Sequence, residues 1–283
     1  MRRIISAALA VLVSTAMFAQ AQITTKKMRI ADFKDKTTKV VLTGSTMFDG
    51  IYQQKVKAAW TVSPYEFCTQ ADFEALKSNP DYYFLVVVSG KFRKESEPGI
   101  EMLTLMKGGV GSEEGVDGMF DIVSVPLRPI GGSGGREYAM LPALLNIIQQ
   151  NTLDSMETDV SGYMGLGNYM INLPKTKDME IVFADGDIAP QVSVGSRNLY
   201  LRDGMISMED SDDVDDLMRE GAAGKVVSYT VAPEGAKPGS YCFKMLIGTE
   251  DNTLYFFKKH KISAKFGAGF LEEDLKKIAS VRK

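Results

Sequence analysis

The chain has 283 residues but only one histidine, His260, and two cysteines, Cys68 and Cys242. A single histidine excludes the two-histidine zinc signatures and any triple-histidine metal site. The two cysteines permit either one disulfide or two small buried hydrophobes, and sequence does not choose between them. A Cys68–His260 nucleophile pair is chemically possible, since imidazole can generate a thiolate, but no local nucleophile signature surrounds Cys68. The glycine-rich run Gly131-Gly132-Ser133-Gly134-Gly135 lacks the Lys-Ser/Thr of a phosphate-binding loop and the G-x-G-x-x-G spacing. It reads as a flexible strand-to-helix connection, and a serine-hydrolase nucleophile is not expected. The balance of 33 basic against 36 acidic residues does not suit nucleic acid, whose affinity comes from cations placed on phosphates.

Long apolar runs are also missing after the first twenty residues. At the N-terminus, Met1-Arg2-Arg3 is followed by an apolar stretch from Ile4 to Phe18 and then by Ala19-Gln20-Ala21. A positive start, a short apolar core and a small-x-small site together predict a signal peptide cleaved after Ala21. The stretch is short for a membrane span, which needs ~20 residues. Its removal takes away Arg2 and Arg3 and lowers the formal charge from −3 to −5. The expected protein is therefore exported, to the periplasm or the outer-membrane and extracellular side, with no transmembrane segment left.

What remains reads as an α/β (α+β) protein. Residues 22–38 are polar and Lys/Thr-rich, a flexible leader. A first unit, 39–151, runs from the buried strand at Lys39–Thr43 through a helix carrying Phe48, Tyr52 and Val56. A short strand near Trp60–Phe67, a helix capped by Thr69, and strands at Tyr82–Phe92, Ile100–Met106 and Met119–Leu127 follow. A helix with a Tyr138, Leu141, Leu144, Leu145, Ile148 stripe closes the unit. Residues 152–177 form a linker. The unit 178–283 repeats the order at an offset near 141 residues, with Ile181-Val182-Phe183 answering Val40-Val41-Leu42 and Phe270–Val281 answering the closing helix. Only the first helix lacks a counterpart, since Gln191–Leu201 is poorly periodic. Each unit thus reads strand, helix, strand, helix, three strands, helix: two tandem α/β sandwich repeats with mixed sheets and helices packed on them.

Two charge features stand out. Glu209–Asp216 places six carboxylates in eight residues, and Asp210, Asp212 and Asp213 are the candidates for a hard cation such as calcium. The central Gly and terminal Glu of an EF-hand are absent, and acids also belong in a first helical turn, so a capped helix start is the expectation. Lys258, Lys259, His260 and Lys261, with Lys265 nearby, could meet an anionic partner, although lysines also protect exposed strand edges. No cofactor is implied.

The segments Trp60-Thr61-Val62-Ser63-Pro64-Tyr65-Glu66-Phe67, Tyr82-Tyr83-Phe84-Leu85, Tyr241-Cys242-Phe243-Lys244 and Leu254–Ile262 resemble a family of exported, signal-peptide-bearing proteins of Gram-negative bacteria. That resemblance carries no activity with it. At fold level the element order is similar to small envelope α/β domains such as the N-terminal domain of TolB and the curli accessory CsgG. A non-catalytic binding or assembly module, meeting an envelope protein or a glycan, is the function this implies. A secreted hydrolase with acidic catalytic residues is the alternative, and a calcium-supported structural protein a third.

Overall fold

A computed structural model describes residues 25–92, 99–132, 135–202 and 204–282. The expected signal segment lies outside these residues. Among the described residues, no helix is long and apolar enough to cross a membrane.

The first unit contains β1 (Thr37–Val41), α2 (Thr46–Ala59), β2 (Tyr65–Cys68), α3 (Gln70–Leu76), β3 (Tyr82–Gly90), β4 (Ile100–Lys107), β5 (Phe120–Pro129) and α4 (Arg136–Glu157), after a one-turn α1 (Lys26–Arg29). The second contains β6 (Glu180–Ala184), α6 (Val194–Tyr200), β7 (Ile206–Glu209), α7 (Ser211–Glu220), β8 (Lys225–Val231), β9 (Tyr241–Gly248), β10 (Leu254–Lys261) and α8 (Glu272–Ser280). A short helix α5 (Asp159–Met164) and a 3-10 stretch over Gly165–Thr176 connect them.

Both sheets have one topology. The first is ordered β2-β1-β3-β4-β5 and the second β7-β6-β8-β9-β10. In each, the first three strands run parallel and the last two antiparallel. Registers match as well. Thr38 pairs with Tyr83 and, 143 positions later for both, Ile181 pairs with Val226, while the outer partners Tyr65 and Ile206 lie 141 apart. The pairing thus shifts the first-strand alignment by two residues from the sequence reading. The apolar strands β3 and β8 are central, as their composition predicts. The missing first helix of the second unit is present as α6. It is weakly periodic because it is short and has no buried residue, with Val194 and Leu199 exposed.

The units stack head to tail. Helix α3 lies on the outer face of sheet 1, against Val41, Phe84 and Val86. The inner face, with Val40, Tyr83 and Leu85, meets α2 and α4. Helix α7, the counterpart of α3, lies on the face of sheet 2 that carries Val182 and Val227, and packs onto α4 from the other side. Helices α6 and α8 cover the last face, with Ile181, Phe183 and Val226. The middle layer is thus shared, and α4 serves both sheets. That position explains its composition: 13 of its 22 residues are buried, and a helix apolar on most sides must be enclosed.

Two boundaries differ from the sequence reading. The leader is packed from residue 25 onward, with Ile30 and Phe33 fully buried and Phe33 edge-on to Tyr83 at 5.0 Å. The closing helix runs to Glu157, into the expected linker, because its second face has the other unit to pack against.

Candidate functional site

Charged side chains join the two units at the start of α4. The Arg136 guanidinium donates to both Asp187 carboxylate oxygens at 3.1 Å, to Asp215 at 3.0 Å and to the Ser228 carbonyl at 3.1 Å. Ser228 in turn donates its hydroxyl to Asp187 at 2.6 Å and accepts from the Ala184 amide at 2.9 Å. Burial alone would lower the Arg136 pKa, but the two aspartates outweigh it and raise it. Burial raises the Asp215 pKa despite the opposing pull of Arg136. One residue along, Glu137 accepts from Arg128 at 3.1 Å, which also pairs with Glu101 at 2.6 Å. Gly135, in the left-handed region at φ 70°, is the N-cap residue of α4 and introduces both side chains.

An open cleft of about 820 Å³ lies between the units. Its position and size fit those of ligand sites, which favour unit interfaces and span ~300–1,000 Å³. It is bounded by the end of β3, by β5 at the edge of sheet 1, by β10 at the edge of sheet 2, and by the start of the 3-10 connection. Phe92 from the first unit lies 5.0 Å from the Tyr241 ring and 5.7 Å from Phe243, and Phe243 lies 6.2 Å from Phe257. The amine of Lys259 stands 5.8 Å over the Tyr241 ring. Lys26, Lys91, Lys258 and Lys259 line the cleft, against Asp117 and Asp121. Lys26 donates to the Ile122 carbonyl of the β5 edge. Burial lowers the Lys26 pKa, while the walls around Asp121 raise its carboxyl despite the Ser124 hydroxyl that donates to it at 2.8 Å.

The sequence candidates are divided by this geometry. Lys258 and Lys259 reach the cleft. Lys258 is already paired with Glu273 at 2.5 Å and Asp274 at 2.8 Å, on the α8 side of the sheet. Lys259 and Lys261 are exposed. His260 is partly buried rather than fully solvated. Its Nε2 lies 2.8 Å from the Gly267 carbonyl, which can only accept, so Nε2 carries the proton; burial, then Lys244, lowers its pKa. It points to the α8 layer, whereas Cys68 belongs to the α3 layer at the other end of the stack, so the two form no nucleophile pair. Lys265 stands 5.2 Å over the Phe266 ring, outside the cleft lining.

The acidic run starts helix α7. Asp210 is its N-cap and accepts from the Asp212 amide at 2.9 Å, while Asp212 and Asp213 fill the first turn. No group of three or more His, Cys, Asp or Glu able to hold a metal occurs among the described residues. The member of the run that matters most is Asp215, which the charge pattern did not single out. Its place next to Val214 and three before Met218, which puts it on the apolar face of the helix, was the available signal. The run Gly131–Gly135 also satisfies the G-x-S-x-G spacing, contrary to the expectation of no such serine. Ser133 itself lies outside the described residues. The preceding β5 is an antiparallel edge strand, and the one histidine of the chain donates to the Gly267 carbonyl, so neither partner of a hydrolase elbow is of the usual kind.

Both cysteines are free and buried. Cys242 accepts from the Gly269 amide at 3.1 Å. Burial pushes both thiols up to about 11. A thiol reagent such as dithionitrobenzoate should therefore leave both unmodified in the native protein over minutes, and label two in guanidinium. Fewer than two thiols in the unfolded, unreduced protein would mean a disulfide had formed.

These features define a class: a two-unit α/β protein with a shared helical layer, an inter-unit ion-pair clamp and an aromatic, lysine-rimmed cleft. No family model, curated protein or solved structure matches the chain.

Proposed function

We propose that the protein is an exported binding module of the cell envelope whose ligand occupies the cleft between the two units. One observation carries this reading: an open cleft of about 820 Å³ with aromatic rings from both units in its walls and lysines around them. A concave, largely apolar surface with a few charged groups is the general design of a ligand site. Export is supported by the signal-like first 21 residues.

The test uses 1-anilinonaphthalene-8-sulfonate, an anionic aromatic dye that suits both features, and the protein lacking residues 1–21. Saturable binding at one site is the expected result. Phe257→Ala, at a half-buried ring, should weaken it at least fivefold, with the unfolding midpoint unchanged within a few degrees. Binding that does not saturate, or is indifferent to Phe257, would remove the cleft as a site. Fractionation of the producing cells tests the compartment.

Hydrolysis is the second reading, favoured by Asp117 and Asp121 lining the same cleft and by the raised Asp121 carboxyl. Asp121→Asn would abolish such an activity and leave dye binding intact.

A further inference from the structure

We propose that the cleft takes an extended peptide segment bearing acidic residues, an inference that rests on the binding reading above. Three independent features lead to it.

The first is a buried amide in the cleft wall. Asn151 is 1% exposed, and it lines the cleft from α4. Its Oδ1 has no hydrogen-bond partner among the described residues. A buried carbonyl oxygen without a donor costs ~1–3 kcal/mol, which a turn of the Asn151 amide toward a donor in the cleft would recover. A peptide N–H is such a donor, whereas an acyl chain has none.

The second is a strand edge. β5 and β10 are outermost in their sheets and both border the cleft, but the 3-10 connection packs along β10, with Asn172 donating to its Leu254 carbonyl at 3.1 Å, so β5 is the edge left to a chain. The Lys26 amine already occupies the Ile122 carbonyl, so the β5 edge turns main-chain acceptors toward this space. Edges of this kind recognise extended chains through their backbones, with pockets for alternate side chains. The aromatic rings of Phe92, Phe243 and Phe257 supply the apolar pocket.

The third is charge. Lys26 and Asp121 attract each other, and Lys258 is paired with Glu273 and Asp274. Among the lining groups, exposed Lys91 and Lys259 then stand against Asp117. Lys259 lies over Tyr241, whose ring contacts Phe92, the neighbour of Lys91. Both lysines line the cleft with the aromatic rings of Phe92, Phe243 and Phe257, where a carboxylate side chain beside an apolar one would be met.

The test is an array of heptapeptides with glutamate alternating with leucine, valine or phenylalanine, probed with the full chain lacking residues 1–21. Three controls are the same array with lysine for glutamate, the same array with N-methylated backbones, and phosphatidylglycerol vesicles. Positive spots are remade as soluble labelled peptides and titrated by anisotropy. The expected result is micromolar binding of acidic peptides, at least tenfold weaker binding by the lysine and N-methylated forms, and a tenfold loss with Lys91→Glu/Lys259→Glu. Both substitutions are at exposed positions, so the fold is kept. Equal binding of N-methylated peptides, binding of vesicles but not peptides, or no peptide binding at all would each overturn the proposal. If dye binding survives while peptides fail, the cleft is a site for another ligand; if both fail, the binding reading falls with it.

Discussion

Replacing Arg136 with alanine should cost about 3–5 kcal/mol of unfolding free energy, among the largest effects of any single substitution in this protein. The reason is the state of the two acids left behind. Asp187 and Asp215 are 3% and 2% exposed, and in the variant they would face each other without the guanidinium that bonds to both. Arg219 reaches Asp215 only at 3.9 Å and is half exposed, so it compensates little. The Ser228 carbonyl would also lose its donor. Arg136→Lys keeps the charge but not the planar fork that serves four acceptor atoms on three residues, so an intermediate loss is expected. Chemical denaturation followed by circular dichroism measures this. Because Arg136 belongs to the first unit and its partners to the second, the variant should also unfold less cooperatively. A loss under about 1 kcal/mol with an unchanged single transition would show that the clamp does not hold the units together.

The second large effect concerns a lysine inside the second unit. Lys244 is fully buried on β9 and pairs with Asp274, which is 1% exposed at the start of α8. Asp274 also accepts from the Leu271 amide at 2.9 Å and from Lys258 at 2.8 Å. Asp274→Leu should destabilise by about 3–5 kcal/mol, since Lys258 can turn to water and Lys244 cannot. Lys244→Met together with Asp274→Leu should recover most of that loss, because an apolar pair of similar volume removes both desolvation terms. Failure of the double variant to recover stability would mean that the loss comes from the α8 cap and not from the stranded ammonium.

The same pair sets a pH dependence. Burial would raise the Asp274 carboxyl, but Lys244, Lys258 and the Leu271 amide outweigh it and hold it below the ordinary 3.8. A depressed carboxyl contributes stability that is complete above its unfolded value and is lost as pH falls through the folded one. The wild-type protein should therefore lose stability below about pH 4. Burial lowers the Lys244 pKa from 10.5, so the unfolded chain holds that proton more tightly, and this part of the stability grows as pH rises toward 10.5. The Lys244→Met, Asp274→Leu protein should show a flatter profile at both ends.

Much of the architecture was legible in the chain itself. Strand and helix periods, the Thr69 capping box and the acidic start of α7 are local signals, carried by neighbours within a turn or two. Repetition of those signals at a steady spacing was enough to expect two similar units, and the matching strand orders and registers bear that out. Periodicity shows that a face is apolar without showing what covers it. Hence the stripe on α4 read as a helix on its own sheet, whereas the fold encloses it between two sheets. The same limit hid the partners of Arg136: Asp187, Asp215 and Ser228 lie 51 to 92 positions after it along the chain and meet it only when the units stack. The lysines of β10 were visible as charge, but the fold ties Lys258 to Asp274 and leaves Lys259 exposed over the Tyr241 ring, because alternate residues face opposite sides of a sheet, although both reach the cleft. The sequence determined the elements and their duplication through short-range pattern; the stacking of two unlike faces, which encloses α4, makes the clamp and opens the cleft, was decided by tertiary packing alone.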